Sequence, residues 1–315
     1  MDKKATALAN ELGLLDLSQA LRFPRFFEVE TVNACNARCA MCTIADWKKR
    51  DSYLMSDEVW KKFISEIKQY ADWIDRVNVS RDGEPLLDRK LEQKIRSLKK
   101  ANIRYVTFAT NASLLNKERA LSLLDSGLDD IMFSVDAARQ ETFERIRKGL
   151  KFDQVVNNCL NFIKIRNDKR YKTTVRVRMV LQDKNRDELK EWFDYWKAQV
   201  AIQDRVYAKP AHSWGNQLKG YTGITKSLKK KEYDSQPCVS LWSTMVIKVN
   251  GDVPLCPVDF KCKFRMGNIA EDSIREIWNS KLLNEARDKL IFGQRNKLVL
   301  CRRCWLWDRS TVIRK

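Results

Sequence analysis

The chain has 315 residues, a hydrophobic fraction of 44% and a formal net charge of +19, from 60 Lys and Arg against 41 Asp and Glu. This apolar content is enough for an ordinary globular core and excludes wholesale disorder. No run of about 18 apolar residues occurs and the N-terminus has no continuous apolar core, so we expect neither a membrane span nor a secretory signal.

From these features we expect a cytoplasmic protein, and in a reducing compartment its nine cysteines favour metal binding over disulfides. The positive charge is compatible with RNA or DNA binding, with an anionic small substrate, or with solubility alone. Basic residues are scattered along the chain apart from KSLKKKEY at 226–233, and no known nucleic-acid-binding motif is present. Charge therefore gives only weak support to a nucleic-acid partner.

Strand-like and helix-like segments alternate between residue 26 and about residue 210. Strands are predicted at 26–32, 76–80, 104–110, 130–136, 174–181 and 204–210, and helices at 56–70, 86–100, 116–127, 140–147, 152–166 and 186–200. In the first of these helices Ser56 can act as the N-cap, and Val59, Phe63 and Ile67 share one face. Repeated strand–helix units imply parallel strands, and polar residues recur at the strand ends, so an α/β fold built as a partial (β/α)6 barrel is favoured over a doubly wound sheet.

The pattern changes after residue 212. A polar, Gly-containing segment at 214–237 is typical of a linker or lid, and TMVIKVNGDVPLC (244–256) predicts two strands joined as a hairpin at Asn250-Gly251. Residues 271–290 predict one capped amphipathic helix. We therefore predict an N-terminal extension at 1–25, a barrel domain at 26–212 and a small cysteine-bearing domain at 213–315.

Three cysteines, Cys35, Cys39 and Cys42, follow the first predicted strand. Three closely spaced thiolates can hold three irons of a [4Fe-4S] cluster and leave the fourth iron open to a substrate or cofactor. A zinc site usually has four protein ligands or includes His, and the only His, His212, is remote in sequence. The alternative, three unpaired buried cysteines, fits poorly with so polar a loop.

The spacing C-x3-C-x2-C after FFEVETVNA resembles the hallmark of the radical SAM superfamily, which uses S-adenosylmethionine (SAM). RDGEPLL at 81–87 is similar to the family's Gly-Gly-Glu-Pro element, with Asp82 in place of the first Gly. The resemblance implies that Gly83, Glu84 and Pro85 bind the methionine amine of SAM, with the Glu84 carboxylate facing the cationic amine.

Two further segments, TNASLLN (110–116) and FSVDA (133–137), resemble the family's third and fourth strand regions. The resemblance places Asn111 and Ser134 near the cofactor, and Arg178 could pair with its carboxylate. The alternatives are a strand-ending turn residue for Asn111 and a barrel-interior ion pair for Arg178.

The implied chemistry is reductive cleavage of SAM by one electron from the cluster, giving methionine and a 5′-deoxyadenosyl radical that abstracts hydrogen from the substrate. Such an enzyme needs a reductant, such as flavodoxin or ferredoxin.

A second set of cysteines, Cys238, Cys256, Cys301 and Cys304, lies in the C-terminal region. By their chemistry alone they fit either a second cluster or a structural zinc ion. Their spacing, together with MGNI, IREIW and the final C-x2-C, resembles the twitch domain, the shortened SPASM auxiliary-cluster domain, of the 2-deoxy-scyllo-inosamine dehydrogenases and related sugar and aminoglycoside epimerases. That resemblance implies a second [4Fe-4S] cluster.

Two cysteines remain. Cys159 lies among apolar residues of a helix, which predicts an inert core position. Cys262 lies in a charged loop and is either an accidental ligand or, as in related radical SAM epimerases, the thiol that donates hydrogen to a substrate radical.

We therefore expect a radical SAM oxidoreductase or epimerase that abstracts hydrogen from a carbinol carbon of a sugar, aminocyclitol or sugar-containing natural product, and the positive charge favours an anionic one. Arg176, Lys209 and Trp214 are candidate pocket residues. Modification of a ribosomally made peptide is the alternative, which the short stretch before the first strand disfavours. An RNA-binding iron–sulfur or zinc protein would leave the three-cysteine set unexplained.

Overall fold

The computed structural model describes residues 3–46, 53–215, 217–218, 237–302, 304 and 313. The predicted linker or lid and the basic cluster at 226–233 therefore lie mostly or wholly outside the described residues. The strands are β1 (Phe26–Val29), β2 (Arg38–Cys39), β3 (Arg76–Asn78), β4 (Val106–Thr110), β5 (Asp130–Ser134), β6 (Arg147–Lys148), β7 (Thr174–Leu181), β8 (Arg205–Pro210), β9 (Thr244–Ile247), β10 (Asp252–Pro254) and β11 (Arg265–Asn268).

The helices follow the predicted alternation. They are α1 (Lys3–Leu12), α2 (Asp57–Lys68), α3 (Leu91–Lys100), α4 (Lys117–Leu124), α5 (Gln140–Ile146), α6 (Phe152–Asp168), α7 (Leu189–Gln199), α8 (Ser240–Ser243), α9 (Ile274–Trp278) and α10 (Lys281–Ile291). None of the described helices combines the length and apolarity needed to cross a bilayer.

The central sheet has the strand order β8-β7-β5-β4-β3-β1-β9 within the described residues, and all of its pairs are parallel. Strands that follow one another along the chain are neighbours from β1 to β8, with no reversal of order of the kind that defines a doubly wound sheet. The predicted α/β class and barrel-type strand succession are thus confirmed. The carboxyl ends of these strands meet along one edge, where the candidate site lies.

Helix α2 shows how the sequence pattern produces this packing. The Ser56 side chain accepts a hydrogen bond from the Val59 amide at 3.3 Å, which caps the helix as predicted. The buried face consists of Trp60, Phe63 and Ile67 rather than the predicted set with Val59. Phe63 makes an edge contact with Phe27 of β1 at a ring-centroid distance of 5.4 Å, so the helix covers the outer face of that strand.

The two strands and the turn predicted at Asn250-Gly251 are present, and the Lys248 amide donates to the Asp252 carbonyl across the turn at 2.9 Å, but the two strands form their ladders with other partners. The chain does turn there, since the Gly251 amide donates to the Lys248 carbonyl at 2.9 Å and Gly251 has φ +87°. However, β9 pairs in parallel with β1 and so extends the barrel sheet, whereas β10 pairs with β11 in a separate antiparallel ribbon. The apolar residues of β9 find a larger buried surface against β1 than a two-stranded hairpin would offer.

The single helix predicted at 271–290 is also wrong, because the structure has two helices there. Ser273 caps α9 in a reciprocal capping box with Glu276, and Ser280 caps α10 by accepting from the Leu283 amide. A second cap residue seven positions after Ser273 marks a new helix start, which the amphipathic pattern alone conceals.

A buried ion network joins the region after β9 to the barrel. The Lys248 ammonium lies 2.5 Å from Asp82 Oδ2 and 3.1 Å from Glu30 Oε1. The Val249 amide also donates to Glu30 Oε2 at 3.2 Å. Burial raises the pKa of Glu30, and the positive charge of Lys248 opposes that rise. Lys248 is therefore the shared counter-ion of two buried carboxylates, one of which, Asp82, also has Arg81 Nη1 at 3.7 Å.

Replacing Lys248 with Met should destabilise the protein by about 3–5 kcal/mol, because two buried carboxylates lose their shared ammonium. The measurement is the free energy of unfolding by anaerobic denaturant titration. The matched control is Lys190→Met, which breaks an exposed pair with Asp194 and should have little effect. Equal stability of the two variants would contradict the proposed role of Lys248.

Candidate active site

A cavity of about 350 Å³ opens at the carboxyl ends of the parallel strands. Every strand from β1 to β8 of the central sheet contributes to its wall, through Glu28, Asn78, Ala109, Thr110, Met132, Ser134, Arg178, Val180, Lys209 and Pro210. The volume lies within the range of small-molecule pockets, and this edge of a barrel-type sheet is where such folds bind their ligands.

The three-cysteine loop forms one side of this cavity, and Cys35, Cys39 and Cys42 all line it. Cys39 lies in β2, which pairs with β6, and the Cys42 amide donates to the Cys39 carbonyl at 3.1 Å. Burial is the main cause that raises the pKa of Cys35 to about 12 and of Cys42 to about 11, and the neighbouring thiols add to the rise. The loop thus holds three thiols close together in a poorly solvated place.

The donor set fits a cluster with three protein ligands. Among the described residues, no three His, Cys, Asp or Glu side chains are arranged to hold a single metal ion. Ligands of a [4Fe-4S] cluster each bind a different iron, so they need not converge on one point. Thiolate ligands also suit iron–sulfur chemistry better than a lone hard cation.

The loop after β3 packs directly on the start of the three-cysteine loop. A Cβ at Gly83 would lie 2.2 Å from the Val32 carbonyl oxygen and 2.8 Å from that of Ala34. The Glu84 amide donates to the Ala34 carbonyl at 2.8 Å. Only glycine permits this approach of two backbones, and the approach places Glu84 beside the cysteines.

Glu84 is buried and lines the cavity. Its Oε1 accepts from the Thr110 hydroxyl at 2.6 Å and the Leu86 amide at 3.1 Å, and its Oε2 accepts from the Asn111 amide at 2.8 Å. A carboxylate has about four acceptor positions, so one remains for a further donor. Burial raises the pKa of Glu84 while these three donors lower it. The carboxylate is therefore held rigidly with capacity for one more hydrogen bond, which suits a cationic amine.

The other residues predicted to bind the cofactor are placed as follows. Pro85 starts a short 3-10 helix, Pro85–Leu87, and is not among the lining residues. Asn111 lines the cavity, donates to Asn36 Oδ1 at 2.9 Å and accepts from the Ser113 amide at 2.9 Å, so it is also a turn residue.

Ser134 and Arg178 both line the cavity, with Arg178 Nη2 3.5 Å from Ser134 Oγ. Arg178 has no acidic partner among the described residues, so the alternative of an interior ion pair is not what the structure shows. The interior ion pair belongs to Arg176 instead, which binds Asp130 and Thr107 and does not line the cavity. The prediction of Arg176 as a pocket residue is therefore wrong, whereas Lys209 and Trp214 do line the cavity.

Sequence reasoning missed Arg147. Its guanidinium forms an ion pair with the buried Asp136 at 2.7 Å, and its Nη1 lies 3.6 Å from Cys39 Sγ. This positive charge lowers the pKa of the Cys39 thiol, against the larger effect of burial that raises it. Arg147 therefore favours the thiolate that an iron ligand must be. No local pattern identifies it, since its role depends on the pairing of β6 with β2.

The second cysteine set also comes together. Burial raises the pKa of Cys256 well above its usual value, and the thiols of Cys301, Cys304 and Cys238 contribute to the rise. Arg295 is buried and donates to the carbonyls of Cys301 at 3.1 Å and Cys304 at 3.0 Å, which fixes the C-x2-C turn. The thiols of Cys238, Cys301 and Cys304 therefore lie within electrostatic range of Cys256, although no three of the described side chains converge on the position of a single metal ion.

The two remaining cysteines are separate from both sets. Cys159 is fully buried on α6, as predicted for a core residue. Cys262 is half-buried with φ +49°, and burial raises its pKa to about 12. Cys262 is not among the residues that line the cavity, so the structure does not bring it to the predicted hydrogen-donor position.

Comparison with known families agrees with this geometry. The model described as the radical SAM superfamily matches residues 29–195, and the model described as SPASM, an iron-sulfur cluster-binding domain, matches residues 238–305. The first match contains the three-cysteine loop, and the second match contains all four cysteines of the C-terminal set.

Curated relatives include proteins described as probable GTP 3′,8-cyclase. That of Saccharolobus islandicus is 30% identical over 171 residues, 53% of this chain and 52% of its own length. That of Methanococcus maripaludis is 26% identical over 178 residues, 56% of this chain and 57% of its own length. The chain thus spans about half the length of the curated relatives it matches.

Solved structures share the fold at low identity. BtrN in complex with AdoMet and 2-DOIA has a TM-score of 0.60 at 20% identity, covering 90% of this chain and 93% of its own. anSMEcpe with bound AdoMet has a TM-score of 0.66 at 18% identity, and the match covers 92% of this chain and 89% of anSMEcpe. Streptococcus suis SuiB bound to precursor peptide SuiA has a TM-score of 0.66 at 15% identity, and the match covers 96% of this chain and 74% of SuiB.

Replacing Gly83 with Ala should displace the loop that carries Glu84, because the added methyl group would overlap two carbonyl oxygens. A displacement of about 1 Å at a reacting site can cost on the order of a hundredfold in rate, so we expect SAM binding and cleavage to fall severely. The control is Gly13→Ala, where the methyl group meets nothing within 4 Å. Unchanged SAM affinity in a folded Gly83→Ala variant would contradict the assignment of this loop.

Proposed function

Because the chain belongs to the radical SAM superfamily, with a SPASM-type domain after it, we propose that it is an enzyme that abstracts hydrogen from a carbinol carbon of a small sugar-type substrate. Such substrates include a sugar, an aminocyclitol or a sugar-containing natural product. The bound cluster and SAM supply the electron and the 5′-deoxyadenosyl radical, and the protein supplies binding and orientation.

The residues of the cavity have separate roles in this proposal. Cys35, Cys39 and Cys42 would hold the [4Fe-4S] cluster, as three thiolates can while leaving a coordination position for SAM. Glu84 uses its remaining acceptor position for the amine of SAM, as its three internal hydrogen bonds allow. Ser134 and Arg178 lie 3.5 Å apart and serve the carboxylate of SAM. Together they orient the cofactor against the wall formed by β7 and β8.

The observation that carries the proposal is the joint placement of the three thiols and the Glu84 carboxylate on one cavity at the strand ends. The substrate class rests on weaker support. The cavity has the size of a small-molecule pocket, BtrN is named with 2-DOIA, and the curated relatives are named for GTP, which contains a ribose. Peptide modification is the alternative, supported by the SuiB and anSMEcpe structures named with peptides.

For the second cysteine set we propose an auxiliary [4Fe-4S] cluster on Cys238, Cys256, Cys301 and Cys304. A four-thiolate site would equally suit zinc by its chemistry, and the match to a cluster-binding domain favours iron. An auxiliary cluster would accept the second electron when the substrate is oxidised.

The position of Cys262 bears on the outcome of the reaction. A thiol that quenches a substrate radical must reach the substrate carbon, and Cys262 is not among the lining residues of the cavity. This favours oxidation of the alcohol over epimerisation through Cys262.

The test is an anaerobic assay of reduced protein with SAM in deuterated water, using sugars, cyclitols and their nucleotide conjugates. We expect 5′-deoxyadenosine and a product lighter than the substrate by two hydrogens. Cys262→Ala should retain this activity, because the thiol is outside the cavity. Product that gains one deuterium at unchanged composition, and is lost in Cys262→Ala, would instead establish epimerisation.

Controls for the same assay are single Ala variants at Cys35, Cys39 and Cys42. Each should abolish 5′-deoxyadenosine formation, because each removes a cluster ligand. If 5′-deoxyadenosine persisted in all three variants, the catalytic assignment would be overturned.

A further inference from the structure

Three cations surround His212 at the end of the cavity formed by β7 and β8. Arg81, Arg178 and Lys209 all line the cavity together with His212. Burial is the main cause that lowers the pKa of His212 to about 3, and the positive charges of Arg178, Arg81 and Lys209 each lower it further. The imidazole is therefore neutral at physiological pH and lies among positive charges at this end of the cavity.

The three cations differ in how they are compensated. Arg81 Nε lies 3.2 Å from Glu28 Oε2 and its Nη1 lies 3.7 Å from Asp82 Oδ1, so two acidic groups accompany it. Arg178 has no acidic partner among the described residues, and its Nε is buried without a hydrogen-bond acceptor. A buried donor without an acceptor is costly, so this guanidinium is arranged for a group that the protein itself does not supply.

Arg178 has enough donors for two anions. A guanidinium presents five N–H donors, and among the described residues only the Arg178 Nη2 has a hydrogen-bond partner, Ser134 Oγ at 3.5 Å. The edge near Ser134 suits the carboxylate of SAM, and the guanidinium donors other than the buried Nε remain for a second anion. Lys209, at the end of the neighbouring strand β8, adds a second cation to the same wall.

The adjacent wall is aromatic. His212 Nδ1 accepts from the Trp214 amide at 3.2 Å, so the proton of the neutral imidazole is on Nε2, which is a donor. The two rings are 4.6 Å apart, and the Arg81 guanidinium lies 5.2 Å from the centre of the Trp214 ring. The cation–π contact between Arg81 and Trp214 thus restrains both side chains. The hydrogen bond from the Trp214 amide holds His212 as a neutral donor beside the cations.

From this arrangement we propose that the substrate carries a phosphate group, bound by Arg178 and Lys209 with His212 as a neutral donor. The inference rests on the proposed function, because it assigns the substrate class of the same cavity. A phosphate monoester carries close to two negative charges and matches two cations, and guanidinium groups suit its oxygens. A neutral cyclitol or sugar would leave the positive charge of Arg178 without an anion.

The experiment uses the fact that His212 is the only histidine in the chain. Untagged, cluster-loaded protein with isotope-labelled histidine gives one imidazole signal in the NMR spectrum, which reports directly on this wall. Ribose 5-phosphate and GTP are titrated with SAM present at about 150 mM salt, where exposed charges are screened. Ribose and guanosine are the unphosphorylated partners of these probes.

We expect at least one phosphorylated probe to shift the His212 signal and to bind at least about tenfold more tightly than its unphosphorylated partner. A response to both phosphorylated probes, or to ribose 5-phosphate alone, indicates a sugar phosphate, and a response to GTP alone indicates a nucleotide. If ribose and guanosine bind as tightly as their phosphorylated forms, the inference is wrong.

Variants separate this subsite from the cofactor site. Lys209→Gln should weaken binding of the phosphorylated probe by about tenfold, Lys209→Arg should restore most of it, and the affinity for SAM should not change. The control Lys190→Gln removes an exposed positive charge on α7 and should leave probe binding unchanged. Equal probe affinity in wild type and Lys209→Gln would overturn the assignment.

The two proposals fail in different ways. If phosphorylated probes bind as expected but no 5′-deoxyadenosine forms with any substrate, the phosphate subsite stands and the proposed function fails. If 5′-deoxyadenosine forms with neutral sugars while phosphorylated probes bind no more tightly, the proposed function stands and the phosphate inference fails.

Discussion

The buried ammonium of Lys248, between Glu30 and Asp82, is the interaction on which the geometry of the active site depends. Glu30 directly follows β1, the strand that leads into the three-cysteine loop, and Asp82 precedes Gly83 and Glu84. One cation from the C-terminal region therefore ties together the two segments that lead into the three-cysteine side of the cavity. Because β9 also pairs with β1, the C-terminal region extends the sheet that carries the cavity, in addition to containing the second set of cysteines.

The cavity that results has two electrostatic ends. Near the cysteines, the Glu84 carboxylate can accept one more hydrogen bond. Arg147 is paired with Asp136 there and lies next to the Cys39 sulfur. At the β7–β8 end, cations surround a neutral His212. An amine placed at the first end and an anion at the second would each find the opposite charge, which orients cofactor and substrate relative to each other before any chemistry occurs.

Local sequence signals predicted much of this. The six barrel strands and the Ser56 cap follow from periodicity and capping, whereas the grouping of Cys35, Cys39 and Cys42 with Glu84 was implied by the resemblance to the radical SAM superfamily. Long-range pairing was not predictable from the same signals. Nothing in the local sequence indicated that Asp82, which stands in place of a Gly, would pair with Lys248. In the same way, β9 was assigned to a hairpin because its turn is visible in the sequence and its partner β1 is not.

The central claim, two clusters of which one binds SAM, is tested most directly on anaerobically reconstituted protein by iron and zinc analysis together with EPR of the reduced clusters. The account predicts about eight irons per chain, the content of two [4Fe-4S] clusters, and a SAM-dependent change in the signal of one cluster only, lost in Cys39→Ala. About four irons accompanied by zinc, or spectra that do not respond to SAM, would contradict it.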